Sequence, residues 1–86
     1  MQMRIDGKLM VTRKAAHEEL KRAMGLPEWY GRNLDALYDL ASTMRGDAAL
    51  IDGQVVRREL GEYGDKLIET LEDAARDNPN FTFAQE

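Results

Sequence analysis

The 86-residue chain contains no cysteine. Disulfides, thiolate metal sites and cysteine nucleophiles are therefore excluded, and the composition suits a reducing compartment. Histidine occurs once, and no HExxH, CxxC or P-loop pattern can be written. The seven glycines are scattered and form no GxGxxG. Long apolar runs are missing too. The longest uncharged one, Ala48-Ala49-Leu50-Ile51, covers four residues, where a bilayer takes about 20. No apolar stretch follows Arg4 at the N-terminus, so no signal peptide is expected and the protein reads as cytoplasmic and soluble. Basic charge is in deficit: twelve Lys and Arg stand against sixteen Asp and Glu, a net charge of −4. An acidic chain is repelled by phosphate backbones and anionic membranes, so neither direct nucleic-acid binding nor membrane binding is expected. The complementary partner is a basic protein.

Against these absences, 43% of the residues are apolar, enough for one modest core. A single domain over residues 1–86, monomeric when free, is expected. Met3-Arg4-Ile5-Asp6-Gly7 alternates apolar and polar and stops at an Asp-Gly turn, which predicts a first strand over 3–6. Thr12 can cap a helix over 13–24, with Ala16, Leu20, Ala23 and Met24 on one stripe and Gly25 as its stop. A loop from Leu26 to Arg32 leads to Asn33, an N-cap for a helix over 34–43 that turns Leu34, Leu37 and Ala41 inward. A buried strand is expected over 48–52, a short helix over Gln54 to Leu60, and a longer helix capped by Asp65 with Leu67, Ile68, Leu71, Ala74 and Ala75 inward. Asn78-Pro79-Asn80 reads as a turn, and residues 81–84 as the last strand. Strands separated by helices imply a small α/β fold, a three-stranded parallel sheet packed with about four helices.

The chemistry is sparse. His17 lies beside the core stripe of the first helix and reads as a boundary residue, not a catalytic base. No metal-ligand set and no cofactor motif is present. The informative stretch is Leu26-Pro27-Glu28-Trp29-Tyr30-Gly31-Arg32-Asn33-Leu34-Asp35-Ala36-Leu37-Tyr38-Asp39. Asp35 and Asp39 are four apart and share a helix face, where like charges cost a few tenths of a kcal/mol. In the first turn Asp35 favours the positive end of the helix dipole; Asp39 lies past that turn and has no such reason. Trp29, Tyr30 and Tyr38 flank the pair, and Trp and Tyr are enriched at binding hot spots, although core packing accounts equally well for Tyr30.

The same stretch resembles the LPExYGxNLDALxD signature of the barstar family of ribonuclease inhibitors, and the likeness extends from Ile5-Asp6-Gly7 through His17 and Leu20 to Phe81-Thr82-Phe83. The resemblance implies a non-enzymatic inhibitor or immunity protein whose partner is a basic secreted microbial ribonuclease of the barnase type, guanyl-preferring. It implies that the carboxylate at Asp39 enters the enzyme's site in place of the scissile phosphate. Asp35 would pair with cationic groups on the enzyme, and Trp29 and Tyr38 would pack beside them; Asn33 joins this partner-binding set. A further carboxylate on the last helix falls on Asp73 when Phe81-Thr82-Phe83 is set in register with the last strand; a shift of one makes it Glu72. Arg32 departs from an acidic surface and is expected to pair with Glu28 or Asp35, or to select a different ribonuclease. Two other readings stay open: the same fold binding a partner that is not a ribonuclease, and an enzyme using Asp35 and Asp39, which would need a concave pocket around them.

Overall fold

Three parallel strands lie side by side in chain order in the computed structural model, which describes residues 2–86. Strand β1 (Gln2–Asp6) is followed by a 3₁₀ turn (Gly7–Leu9) and by helices α1 (Arg13–Met24) and α2 (Leu34–Ala41). Strand β2 (Gly46–Ile51) then leads to α3 (Gly53–Leu60), α4 (Glu62–Asp77) and β3 (Phe81–Gln85). The α/β architecture with a three-stranded parallel sheet and four helices is the one the patterning implied. The register sets Met3 beside Ala48, Ala48 beside Phe83, and Ile5 beside Leu50. Because side chains alternate along a strand, these residues line one face. There they meet Leu20, Leu37, Leu67 and Leu71 of the helices in one core. The opposite face carries Arg4, Asp47, Thr82 and Ala84, all exposed around a buried Ala49, and the core cluster lies wholly on the other side, so the fold has two layers rather than three.

Several element ends differ from the expected ones. β2 starts at Gly46, two residues early, because Gly46 pairs with Phe81 and Asp47 with both Gln2 and Thr82; polar residues at the mouth of a strand hide it from an apolar pattern. α2 stops at Ala41, not residue 43. Ser42 Oγ donates to the Asp39 carbonyl (2.9 Å) and Thr43 Oγ1 to the Leu40 carbonyl (3.3 Å), so hydroxyls satisfy the last carbonyls and the chain turns. Leu37 and Ala41 are buried, whereas Leu34, at the helix start, is only half-buried. Asp65 does not cap α4. The helix begins at Glu62 after Gly61, whose φ of 56° joins α3 to α4 without a linker. Asp65 sits inside the first turn, where it pairs with Arg57 (3.4 Å). A side chain at Gly64 would collide with the Val56 carbonyl, so the missing Cβ lets α4 cross closely over α3.

The loop that precedes α2 is fixed at both ends. Thr12 caps α1 through its hydroxyl, which accepts from the Ala15 N–H at 3.0 Å. Gly25 ends α1 in the left-handed conformation (φ 64°), and Leu26 N–H returns to the Lys21 carbonyl (3.0 Å). At the other end Asn33 caps α2: its Oδ1 accepts from the Ala36 N–H at 2.7 Å and its Nδ2 donates to the Gly31 carbonyl at 3.2 Å.

Candidate functional site

Burying Leu37 and Ala41 fixes the rotation of α2 and so decides which side chains face outward. Asp35 and Asp39 are both exposed on its outer side. Neither carboxylate has a side-chain hydrogen bond or an ion pair among the described residues. One turn of helix therefore holds two exposed, unpaired carboxylates at like-charge spacing, a local cost that only Asp35, in the first turn, offsets against the helix dipole. Trp29, in the loop before α2, is 75% exposed, an unusual place for the chain's one tryptophan.

The other aromatics take different roles. Tyr30 is buried, and its hydroxyl lies 2.6 Å from His17 Nδ1. His17 Nε2 lies 2.6 Å from the Tyr63 hydroxyl of α4. His17 is thus fully inside rather than at the boundary: the ring is held as a polar bridge between loop, α1 and α4, and both nitrogens are satisfied. Burial, helped by the Arg32 charge, holds its pKa below the usual histidine range, and burial pushes the Tyr30 phenol up. This bridge is scaffold under the loop, not chemistry at its surface.

Tyr38 is half-buried between α2 and α4, and its hydroxyl donates to Asp77 Oδ2 at 2.6 Å. That hydrogen bond holds the Asp77 carboxyl below its usual range. Arg76 joins the group, pairing with Asp77 (3.4 Å) and Asp73 (3.0 Å). Tyr38 and Asp73 are thereby brought together across the α2–α4 seam. Glu72 instead accepts from Gln85 Nε2 of β3 (3.2 Å), on a different flank of α4. Asp77 was missed from the sequence; its spacing of four from Asp73 was the available signal. Arg32 pairs with neither Glu28 nor Asp35. Its Nε donates to Glu18 Oε1 of α1 (2.7 Å), while Glu28 takes Lys21 (3.0 Å).

Hollows in the surface lie elsewhere, one lined by Arg4, Asp6, Arg22 and Asp52 and others beside Tyr63 and Leu9; none of these includes Asp35 or Asp39. Among the described residues no three acidic or histidine side chains are grouped to hold a metal. Among the described residues no helix is long and apolar enough to cross a membrane.

The small two-layer α/β scaffold thus offers solvent two unpaired carboxylates on α2 and an exposed tryptophan in the loop before it. The family model described as Barstar (barnase inhibitor) matches residues 1–85, and the chain belongs to that family. It is also 32% identical over 73 residues to the Bacillus subtilis (strain 168) protein named "Putative ribonuclease inhibitor YrdF", a match covering 81% of this chain and 80% of that one. Family membership makes the protein an inhibitor by class and not an enzyme.

Proposed function

We propose that the protein inhibits a barnase-type, guanyl-preferring ribonuclease, acting as an intracellular immunity protein that lays the outer side of α2 over the enzyme's active site. The observation that carries this reading is the pair Asp35 and Asp39, exposed and without partners in a family described as barnase inhibitors. A ribonuclease site gathers Arg, Lys and His to hold phosphate. Two carboxylates on a rigid helix satisfy the same cations and offer no bond to cleave. Asp39 takes the place of the scissile phosphate, Asp35 meets flanking cations, and Trp29 supplies apolar contact at the edge. Tyr38 and Asp73, linked across the seam through Asp77 and Arg76, extend the contact onto α4. Asn33 contributes by capping the helix that carries the acids.

The test is a titration of the purified protein into RNA cleavage by barnase. Suppression is expected, with no cleavage by the protein alone. Absence of inhibition at micromolar concentration would transfer the acidic face to a protein partner that is not such a ribonuclease.

A further inference from the structure

Trp29 stands on the loop between α1 and α2, and the charged residues on either side of it, Glu28 and Arg32, both reach back to α1. Lys21 Nζ donates to Glu28 Oε1 at 3.0 Å, and Arg32 Nε donates to Glu18 Oε1 at 2.7 Å. Glu18 and Lys21 are three apart, so they share one face of α1. The polarity is crossed: one pair has its acid on the helix and its base on the loop, the other the reverse. Sliding the loop one way along α1 would set Glu28 toward Glu18, and sliding it the other way would set Arg32 toward Lys21, so like charges oppose either slip and the arrangement specifies a single register. Two acids and two bases also cancel, leaving the negative field of the surface to Asp35 and Asp39.

Exposed pairs of this kind contribute little stability on their own. Here they act on a segment already pinned beneath. Tyr30 is buried, and its N–H donates to the Pro27 carbonyl at 3.0 Å. Arg32 adopts φ 52°, a left-handed conformation that side chains rarely take. Its own guanidinium holds it there, because NH1 donates to the Tyr30 carbonyl (3.1 Å) while Nε holds Glu18. The proximity of Arg32 lowers the Glu18 carboxyl below its usual range, and Glu28 adds to the field at Arg32.

We propose that Glu18, Lys21, Glu28 and Arg32 are positioning residues: the two crossed ion pairs hold the loop on α1 so that Trp29 is presented to a protein partner already in its bound orientation. Holding Trp29 is a property of the free protein; its use in binding rests on the function proposed above. Pre-ordering a contact residue removes the cost of ordering it on association. On this account Arg32, a cation within an acidic surface, is an internal fastening and not a contact.

Trp29 is the only tryptophan, so its fluorescence reports on this loop alone. Time-resolved anisotropy on the full chain at low salt should show little fast local depolarisation. Arg32→Glu, which gathers three acids around the loop, should raise that depolarisation and weaken inhibition of barnase by roughly two- to tenfold. Lys21→Glu should do the same through the other pair. The charge swap Glu18→Arg with Arg32→Glu should restore both readings. Unchanged anisotropy in both single variants, or a swap that does not restore it, would overturn the positioning device. Restored anisotropy without restored inhibition would overturn its link to binding and assign Arg32 to direct contact. If the wild-type chain leaves barnase active, the proposed function falls, while the anisotropy series still decides whether the crossed pairs hold Trp29.

Discussion

Asp39 lies beyond the first turn of α2, accepts no hydrogen bond through its side chain and faces solvent, so the fold gives it no task. Replacing it with Ala removes a repulsion of about 0.2–0.5 kcal/mol and adds a better helix former. Stability in a urea melt should therefore hold or rise slightly. Affinity should fall by about 2–5 kcal/mol, roughly thirty- to several-thousand-fold, because the partner's cations would be desolvated without a counter-charge. An Asp39→Ala protein that melts earlier yet inhibits as well as before would make Asp39 a structural residue. His17 behaves in the opposite way. Its pKa is held below the ordinary 6.5 by burial, so between that value and its folded pKa the unfolded chain binds more protons than the folded one. Stability is then complete above about pH 6.5 and declines as the pH falls below it. A charged ring would also carry two donors, forcing the Tyr30 and Tyr63 hydroxyls both to accept. Urea melts at about pH 7.5 and 5.5, a window above the carboxylates and within reach of histidine, should differ in wild type. The difference should shrink in His17→Gln; equal midpoints in the wild-type protein would contradict the assignment.

The element that carries the site, α2, is only eight residues long and needs outside support at both ends. Asn33 supplies it at the start. At the finish Asn78, buried after α4, donates through Nδ2 to the carbonyls of Ala41 (3.0 Å) and Met44 (2.8 Å), and its Oδ1 accepts from the Asn80 N–H (3.0 Å). Asn78→Ala strands those groups and should cost about 1–3 kcal/mol in a urea melt; a cost within error would mean that water replaces the amide. What was legible in the sequence divides along the same line. The Thr12 and Asn33 caps, the Leu37 and Ala41 stripe and the outward Asp35 and Asp39 depend on neighbours within one or two turns, and all were readable. The Asn78 bridge spans 34 and 37 residues, His17 to Tyr63 spans 46, and Tyr38 to Asp77 spans 39, so no local pattern encodes them. Asp65 has the residue type of a good N-cap, but the backbone turn at Gly61 decides where α4 starts. For Arg32 the sequence offers only its near neighbours Glu28 and Asp35, whereas folding brings Glu18 of α1 to it.

At the scale of the whole molecule, the net charge of −4 would speed the arrival of the basic partner proposed above. Opposite fields steer encounter and raise association rates, and added salt removes that steering because the screening length shrinks to about 10 Å at 0.1 M. The association rate with barnase should fall by roughly ten- to a hundredfold between low salt and about 0.5 M, while dissociation changes much less. Net charge alone does not distinguish a docking face from any other acidic surface, but the two-layer fold places acids on separate surfaces that can be compared. Asp35 and Asp39 lie on the outer side of α2, whereas Asp47 is exposed on the bare face of the sheet, where its Oδ1 accepts from the Thr82 hydroxyl at 2.6 Å. Asp47→Asn keeps that acceptor and removes one charge. Asp35→Asn removes one charge beside the proposed contact. Both variants carry the same net charge, so a partner that responds only to the total would show one shared salt slope. A partner that reads the α2 face should show a clearly shallower slope for Asp35→Asn than for Asp47→Asn, with the latter close to wild type. Equal slopes in stopped-flow association across a salt series would mean that α2 is not the surface that meets the enzyme first.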